Sequence, residues 1–163
     1  MSNNIILGTA KLGIKEYGFS SKKSHSEDEE LLLKAEELGI STLDTSPRYG
    51  NAEFSIGKYH DSSRIKFKIN TKVDNLLKND NRSEYKIFNS VKNSMKIMNV
   101  EKIDTLYLHQ NELNILSDKK ILRALEKLKR EGLIDKIGSS IYSYEECQYS
   151  IDCDIYDVVQ VPM

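Results

Sequence analysis

Residues 105–137 read TLYLHQNELNILSDKKILRALEKLKREGLIDKI, and three local signals in this stretch decide the fold. Thr105 to Leu108 is an apolar run of strand length. Asp118 then opens a helix in which Ile121, Leu122, Leu125 and Leu128 form an inward stripe, and Gly132 stands past its end. Ile134 to Ile137 is a second apolar run. Strand, helix and strand in that order form a crossover that returns the chain to the same end of the sheet, so the two strands run parallel.

The same unit repeats outward from this stretch. Ile5 to Leu7, Thr42-Leu43 and Lys66 to Asn70 predict three earlier strands, and Tyr156 to Val161 predicts a sixth. Between the first two, Ser26 with Glu29 makes a capping box ahead of the stripe Leu31, Leu32, Ala35 and Leu38, which Gly39 closes. Ala52 to Lys58 predicts a short helix, and Ser83 to Met98 a longer one with Ile87, Val91 and Met95 on one face. Ser143 and Glu146 repeat the capping box for a short fifth helix. No repeat, low-complexity linker or hinge divides residues 1–163, so a single domain is expected. Parallel strands leave an open doubly wound sheet or a closed barrel, and periodicity does not choose between them. The first strand is not followed by G-x-G-x-x-G, which weakens a dinucleotide-binding open sheet, and the chain has no P-loop motif.

Composition narrows the function. With 163 residues, 39% hydrophobic and 30% charged, the chain has enough apolar material for one core. Its 24 basic and 25 acidic residues give a net charge of -1, no field to draw in nucleic acid or an anionic membrane. Lys119, Lys120, Lys127, Lys129 and Arg130 read as a solvated face. No apolar run has the length of a membrane span. Cys147 and Cys153 match no metal spacing and follow no secretory segment, so free thiols in a cytoplasmic protein are expected.

Reactive side chains fall where the strands end. Thr9 follows the first strand, Asp44 the second, Lys72 the third, His109 the fourth, and Ser139 and Ser140 the fifth, while Gln160 lies within the sixth. In a parallel barrel the carboxyl ends of all strands share one face, so these positions would converge on one pocket. Taken singly, Asp44 reads as a turn or capping residue, Lys72 as a loop lysine, His109 as a strand-end histidine and Tyr49 as turn packing. The weight lies in their succession.

In that succession the residues resemble the aldo-keto reductases. Leu7-Gly8-Thr9-Ala10 is similar to the family's first strand and loop, and the run from Leu43 to Glu53, with Asp44, Tyr49 and Gly50, is similar to its most recognisable segment. Thr71-Lys72, Leu108-His109-Gln110, Ile137-Gly138-Ser139-Ser140 and Val159-Gln160 follow in the family's order. The stretch Leu7 to Gly18 and the run Ser140 to Ser143 resemble bacterial members associated with surface-sugar biosynthesis. The resemblance implies a parallel (β/α)₈ TIM barrel, incomplete in this chain, and a catalytic tetrad of Asp44, Tyr49, Lys72 and His109. It also implies a nicotinamide cofactor, NADPH or NADH, near Thr9, Ala10 and Asp44, with its carboxamide at Ser140 and Gln160. Where many members place Asn after that serine this chain has Ile141, so a carboxamide contact is expected to be missing or to come from Ser139.

The chemistry follows from the residue types. Reducing a carbonyl needs hydride at carbon and a proton at oxygen, and side chains cannot give hydride. A phenol, with a pKa of about 10, stays protonated at neutral pH and serves as the acid, and a cation beside it favours the phenolate left behind. Tyr49 would be that acid and Lys72 the cation; Asp44 would orient the ammonium and His109 donate to the substrate oxygen.

A closed barrel needs eight strands and about 250 residues. Six strands leave open edges, which natural proteins cover. Three readings therefore stand: the amino-terminal portion of a carbonyl reductase acting on a small molecule; a non-catalytic scaffold that pairs its edges with another chain; and an unrelated lyase using Lys72 as a Schiff-base amine, which leaves Tyr49 and His109 without roles.

Overall fold

The computed structural model describes residues 5–14 and 25–161. In chain order these form β1 (Ile6–Gly8), α1 (Ala10–Gly13), α2 (His25–Glu37), β2 (Thr42–Asp44), α3 (Ala52–Ser62), β3 (Lys68–Val73), α4 (Ser83–Met98), β4 (Ile103–Leu108), α5 (Leu113–Leu116), α6 (Lys119–Arg130), β5 (Ile134–Ser140), α7 (Tyr144–Asp152) and β6 (Val158–Gln160). The strands form one sheet in the order β1-β2-β3-β4-β5-β6. The pairs β1/β2, β2/β3, β4/β5 and β5/β6 are parallel. A doubly wound sheet reverses its strand order at a switch point, whereas a barrel adds strands in sequence, so this topology is that of six successive units of a (β/α)₈ barrel.

The chain divides into two compact units, one running to Thr71 and taking in Ser94–Glu101, the other made of Lys72–Asn93 and the residues from Lys102 onward. In the first unit α2 buries Leu32 and Ala35, as the stripe predicts. Leu38 is instead 58% exposed, because α2 stops at Glu37 and Gly39 turns the chain at φ 75°. The side chain of Ser26, with its expected capping bond, lies outside the described residues, as do residues 15–18 of the Leu7 to Gly18 stretch.

Helix α3 runs one turn beyond the expected Lys58, since Tyr59 and His60 are also buried. Glu53, Gly57 and His60 recur at helical spacing on one face, against the end of α4. A Cβ at Gly57 would lie 1.9 Å from the Ile97 carbonyl oxygen, so only glycine admits this approach. His60 bonds the Met98 carbonyl through Nδ1 at 2.7 Å and accepts the Phe67 amide at Nε2 at 3.0 Å.

In the second unit α6 buries Ile121, Leu122, Leu125 and Leu128 as expected. Asp118 caps it by accepting the Lys120 and Ile121 amides, and also takes the Asn79 amide at 2.6 Å. The capping box of Ser143 and Glu146 is complete at the start of α7. Two single-turn helices, α1 and α5, raise the helix count among the described residues from the expected five to seven. Strand β3 starts and ends later than expected, so Lys72 lies inside it rather than after it.

Candidate active site

In the first unit Asp44 ends β2, in register with Gly8 on one side and Asn70 on the other. Its carbonyl accepts both the amide and the hydroxyl of Thr9, each at 2.9 Å. Thr9 thus spends its side chain on fixing the β2 end, and Ala10 opens α1 beside it. Asn70, 3% exposed, shares the sheet face of Asp44, and its Oδ1 has no hydrogen-bond partner among the described residues. In sequence Asn70 gives no signal, because an amide inside a short apolar strand carries no motif.

Tyr49 lies in the turn between β2 and α3. Its amide donates to the Ser46 carbonyl at 2.9 Å and its carbonyl accepts the Ala52 amide at 3.0 Å. Gly13 presses on this turn so closely that a Cβ there would fall 1.4 Å from the Tyr49 carbonyl oxygen. Gly50 turns at φ 52° against the Gly13 carbonyl, so the Tyr49 main chain is held by backbone contact on both sides. One turn further, the buried Glu53 accepts the Thr71 hydroxyl at 2.8 Å on one carboxylate oxygen and the Ser94 hydroxyl at 3.1 Å on the other. Burial chiefly raises the Glu53 pKa, and the two hydroxyl bonds oppose that shift.

In the second unit Lys72 is 3% exposed, and its Nζ stands 5.6 Å from the ring centroid of Tyr107, a cation–π distance. The ring covers Gly138, where a Cβ would come within 2.4 Å of it. The sequence signal for Tyr107 is only its place near the end of β4, two residues before His109. His109 is half-buried just past β4, and its amide donates to the Val73 carbonyl at 2.9 Å. Gln110 accepts the Leu76 amide at 2.6 Å and donates to the Leu76 carbonyl at 3.0 Å. Asn111 donates to Glu146 at 2.9 Å. Burial acts to raise the Glu146 pKa, but this bond and the amides of Tyr142 and Ser143 hold it below the usual range.

Ser140, 5% exposed, is in register with Gln160 on β6. Ser139 faces the other way: its hydroxyl donates to Ser150 of α7 at 2.9 Å, on the helix side of the sheet. The expectation that Ser139 replaces a missing carboxamide contact therefore meets a hydroxyl already engaged elsewhere. Ile141 is fully buried, and its amide donates to the Gln160 carbonyl at 3.0 Å. Cys147 and Cys153 are free thiols. Among the described residues no group of His, Cys, Asp and Glu could hold a metal ion, and no helix is long and apolar enough to cross a membrane.

Sequential parallel βα units with polar side chains at the strand ends define a barrel-type α/β protein. The aldo/keto reductase family model matches residues 4–162, and the chain belongs to that family. An aldo-keto reductase described as putative from Pseudomonas aeruginosa is 28% identical with a TM-score of 0.77, the match covering 96% of this chain and 60% of that one. The glycerol dehydrogenase of Gluconobacter oxydans is 24% identical with a TM-score of 0.74, covering 97% and 50%. An aldo-keto reductase of Bacillus halodurans, solved in its holo form, is 23% identical with a TM-score of 0.75, covering 96% and 52%. The chain thus spans 50% to 60% of the length of these three relatives. No curated protein matches it significantly.

Proposed function

We propose that the chain carries the acid–base residues of an NAD(P)H-dependent reductase that converts an aldehyde or ketone to an alcohol. The observation that carries this reading is the succession of Asp44 at the end of β2, Tyr49 in the next turn, Lys72 in β3 and His109 just past β4. Parallel strands in sequential order put such positions toward one end of a barrel. Tyr49 gives its proton to the substrate oxygen as that oxygen becomes negative. Lys72 stabilises the phenolate left behind, Asp44 orients the ammonium, and His109 donates a second hydrogen bond to the substrate oxygen. In the reverse direction Tyr49 takes the proton from the alcohol.

A nicotinamide, when bound, supplies the hydride. The donor set suits its carboxamide: the Ser140 hydroxyl and the Gln160 amide sit side by side in register and together offer donor and acceptor groups. Ala10 and Asp44 would line the ribose side. Thr9 contributes by holding Asp44, since its hydroxyl is already bound there. The preference for NADPH and a cytoplasmic setting, to which free Cys147 and Cys153 are suited, belong to the same reading.

Titrating the chain with NADPH while following cofactor fluorescence tests it. Saturable enhancement, weakened by Ser140→Ala, is expected; no change up to millimolar cofactor overturns the reading for this polypeptide. A second reading, self-association through edge strands, has Ile5, Ile6 and Val161 behind it, all at least half exposed at the ends of the sheet order. Sedimentation checks it, and a monomer at high concentration rules it out.

A further inference from the structure

We infer that Glu53 is a positioning residue that sets the direction of the Lys72 side chain, acting through Thr71. The inference rests on the proposed role of Tyr49 and Lys72, and adds to it a residue that touches neither substrate nor cofactor.

The argument begins with a cost. A carboxyl group that is 5% exposed gives up water, and it is retained only where its oxygens find other partners. Glu53 finds two, on different elements: Thr71 of β3 and Ser94 of α4. A joint needed only to pack α3 on its neighbours is already present in Gly57 against Ile97 and His60 against Met98. The bond to Thr71 does something these do not. Side chains alternate along a strand, so drawing the Thr71 hydroxyl to the helix side obliges the next residue, Lys72, to point to the opposite face. Glu53 itself belongs to the first turn of α3, whose Ala52 amide bonds the Tyr49 carbonyl. One carboxylate therefore links the segment bearing the acid to the residue that aims the cation.

The test follows the Tyr49 phenol by NMR of the full chain labelled with ¹³C-tyrosine, with the signal assigned from Tyr49→Phe. Lys72→Met is expected to raise the Tyr49 titration midpoint; an unmoved midpoint overturns the catalytic reading itself. With that shift in hand, Glu53→Ala is expected to raise the midpoint by about one pH unit, part of what an adjacent cation supplies. Thr71→Val should reproduce the rise, and Glu53→Gln, which keeps an acceptor for Thr71, should reverse most of it. Ser94→Ala, which cuts only the bond to α4, should leave it in place. If Lys72→Met moves the midpoint while Glu53→Ala and Thr71→Val do not, the positioning role is wrong and the catalytic reading stands. Should Glu53→Ala fail to fold, Thr71→Val decides alone, since it replaces one hydroxyl by a methyl of similar size.

Discussion

The two units of the chain are joined internally by different chemistry. In the first, many joints are buried and titratable or backbone to backbone: Glu53 to Thr71 and Ser94, His60 to Met98 and Phe67, the Ser55 hydroxyl on Asp28, Gly57 on Ile97. In the second, many joints are exposed ion pairs, such as Lys127 with Glu84 and Lys129 with Asp157, laid over an apolar helix face. Buried joints demand one geometry and one protonation state, whereas exposed pairs tolerate loss because water replaces the partner. The first unit should therefore be brittle to substitution, and the second forgiving.

The sharpest way to break this contrast is Gly57→Ala. A methyl 1.9 Å from a main-chain oxygen has nowhere to go, so a loss of about 3 kcal/mol is expected in urea unfolding; a near-neutral result would mean α3 and the end of α4 are not rigidly apposed. His60 comes next. Accepting the Phe67 amide requires a neutral ring, and burial chiefly lowers the His60 pKa. The unfolded chain, with a histidine pKa of about 6.5, then takes up the proton first, so stability falls as pH drops below about 6.5 and keeps falling to the lowered folded value. His60→Leu should cost about 2 kcal/mol at neutral pH and flatten that slope, as urea melts at several pH values would reveal. In the second unit Asp118→Ala removes a helix cap and should cost about 1 kcal/mol in the same assay. Smallest is Lys127→Ala, which should leave the thermal midpoint almost in place and remove only part of its salt dependence.

The same contrast explains what sequence could reveal. Helix α6 and the capping box of α7 were legible because each signal is local: an apolar stripe, or a Ser three residues before a Glu. The βα order was legible for the same reason, and so was the placement of Asp44, Tyr49, Lys72 and His109 near strand ends. Glu53 and His60 show no sequence sign of burial, because a charged residue and a histidine on a helix read as solvent-facing until tertiary partners are known. The carboxyl end of β3 escapes the sequence pattern because Thr71 and Lys72 lack the apolar signature of a strand, although both are buried. Single-turn helices such as α5 have too few residues for any period. Ser139 and Ser140 look interchangeable in sequence, and only strand alternation sends one to Ser150 and the other to the face it shares with Gln160.

The fastenings among loops in the second unit bear on protein engineering. Gln110 grips both main-chain groups of Leu76 in the segment after β3, and its neighbour Asn111 holds the Glu146 carboxylate that caps α7 after β5. Three segments separate in sequence are thus stapled into one module. Grafting any of them alone from a relative would strand its partners, so retargeting this rim calls for transplanting all three as a matched set.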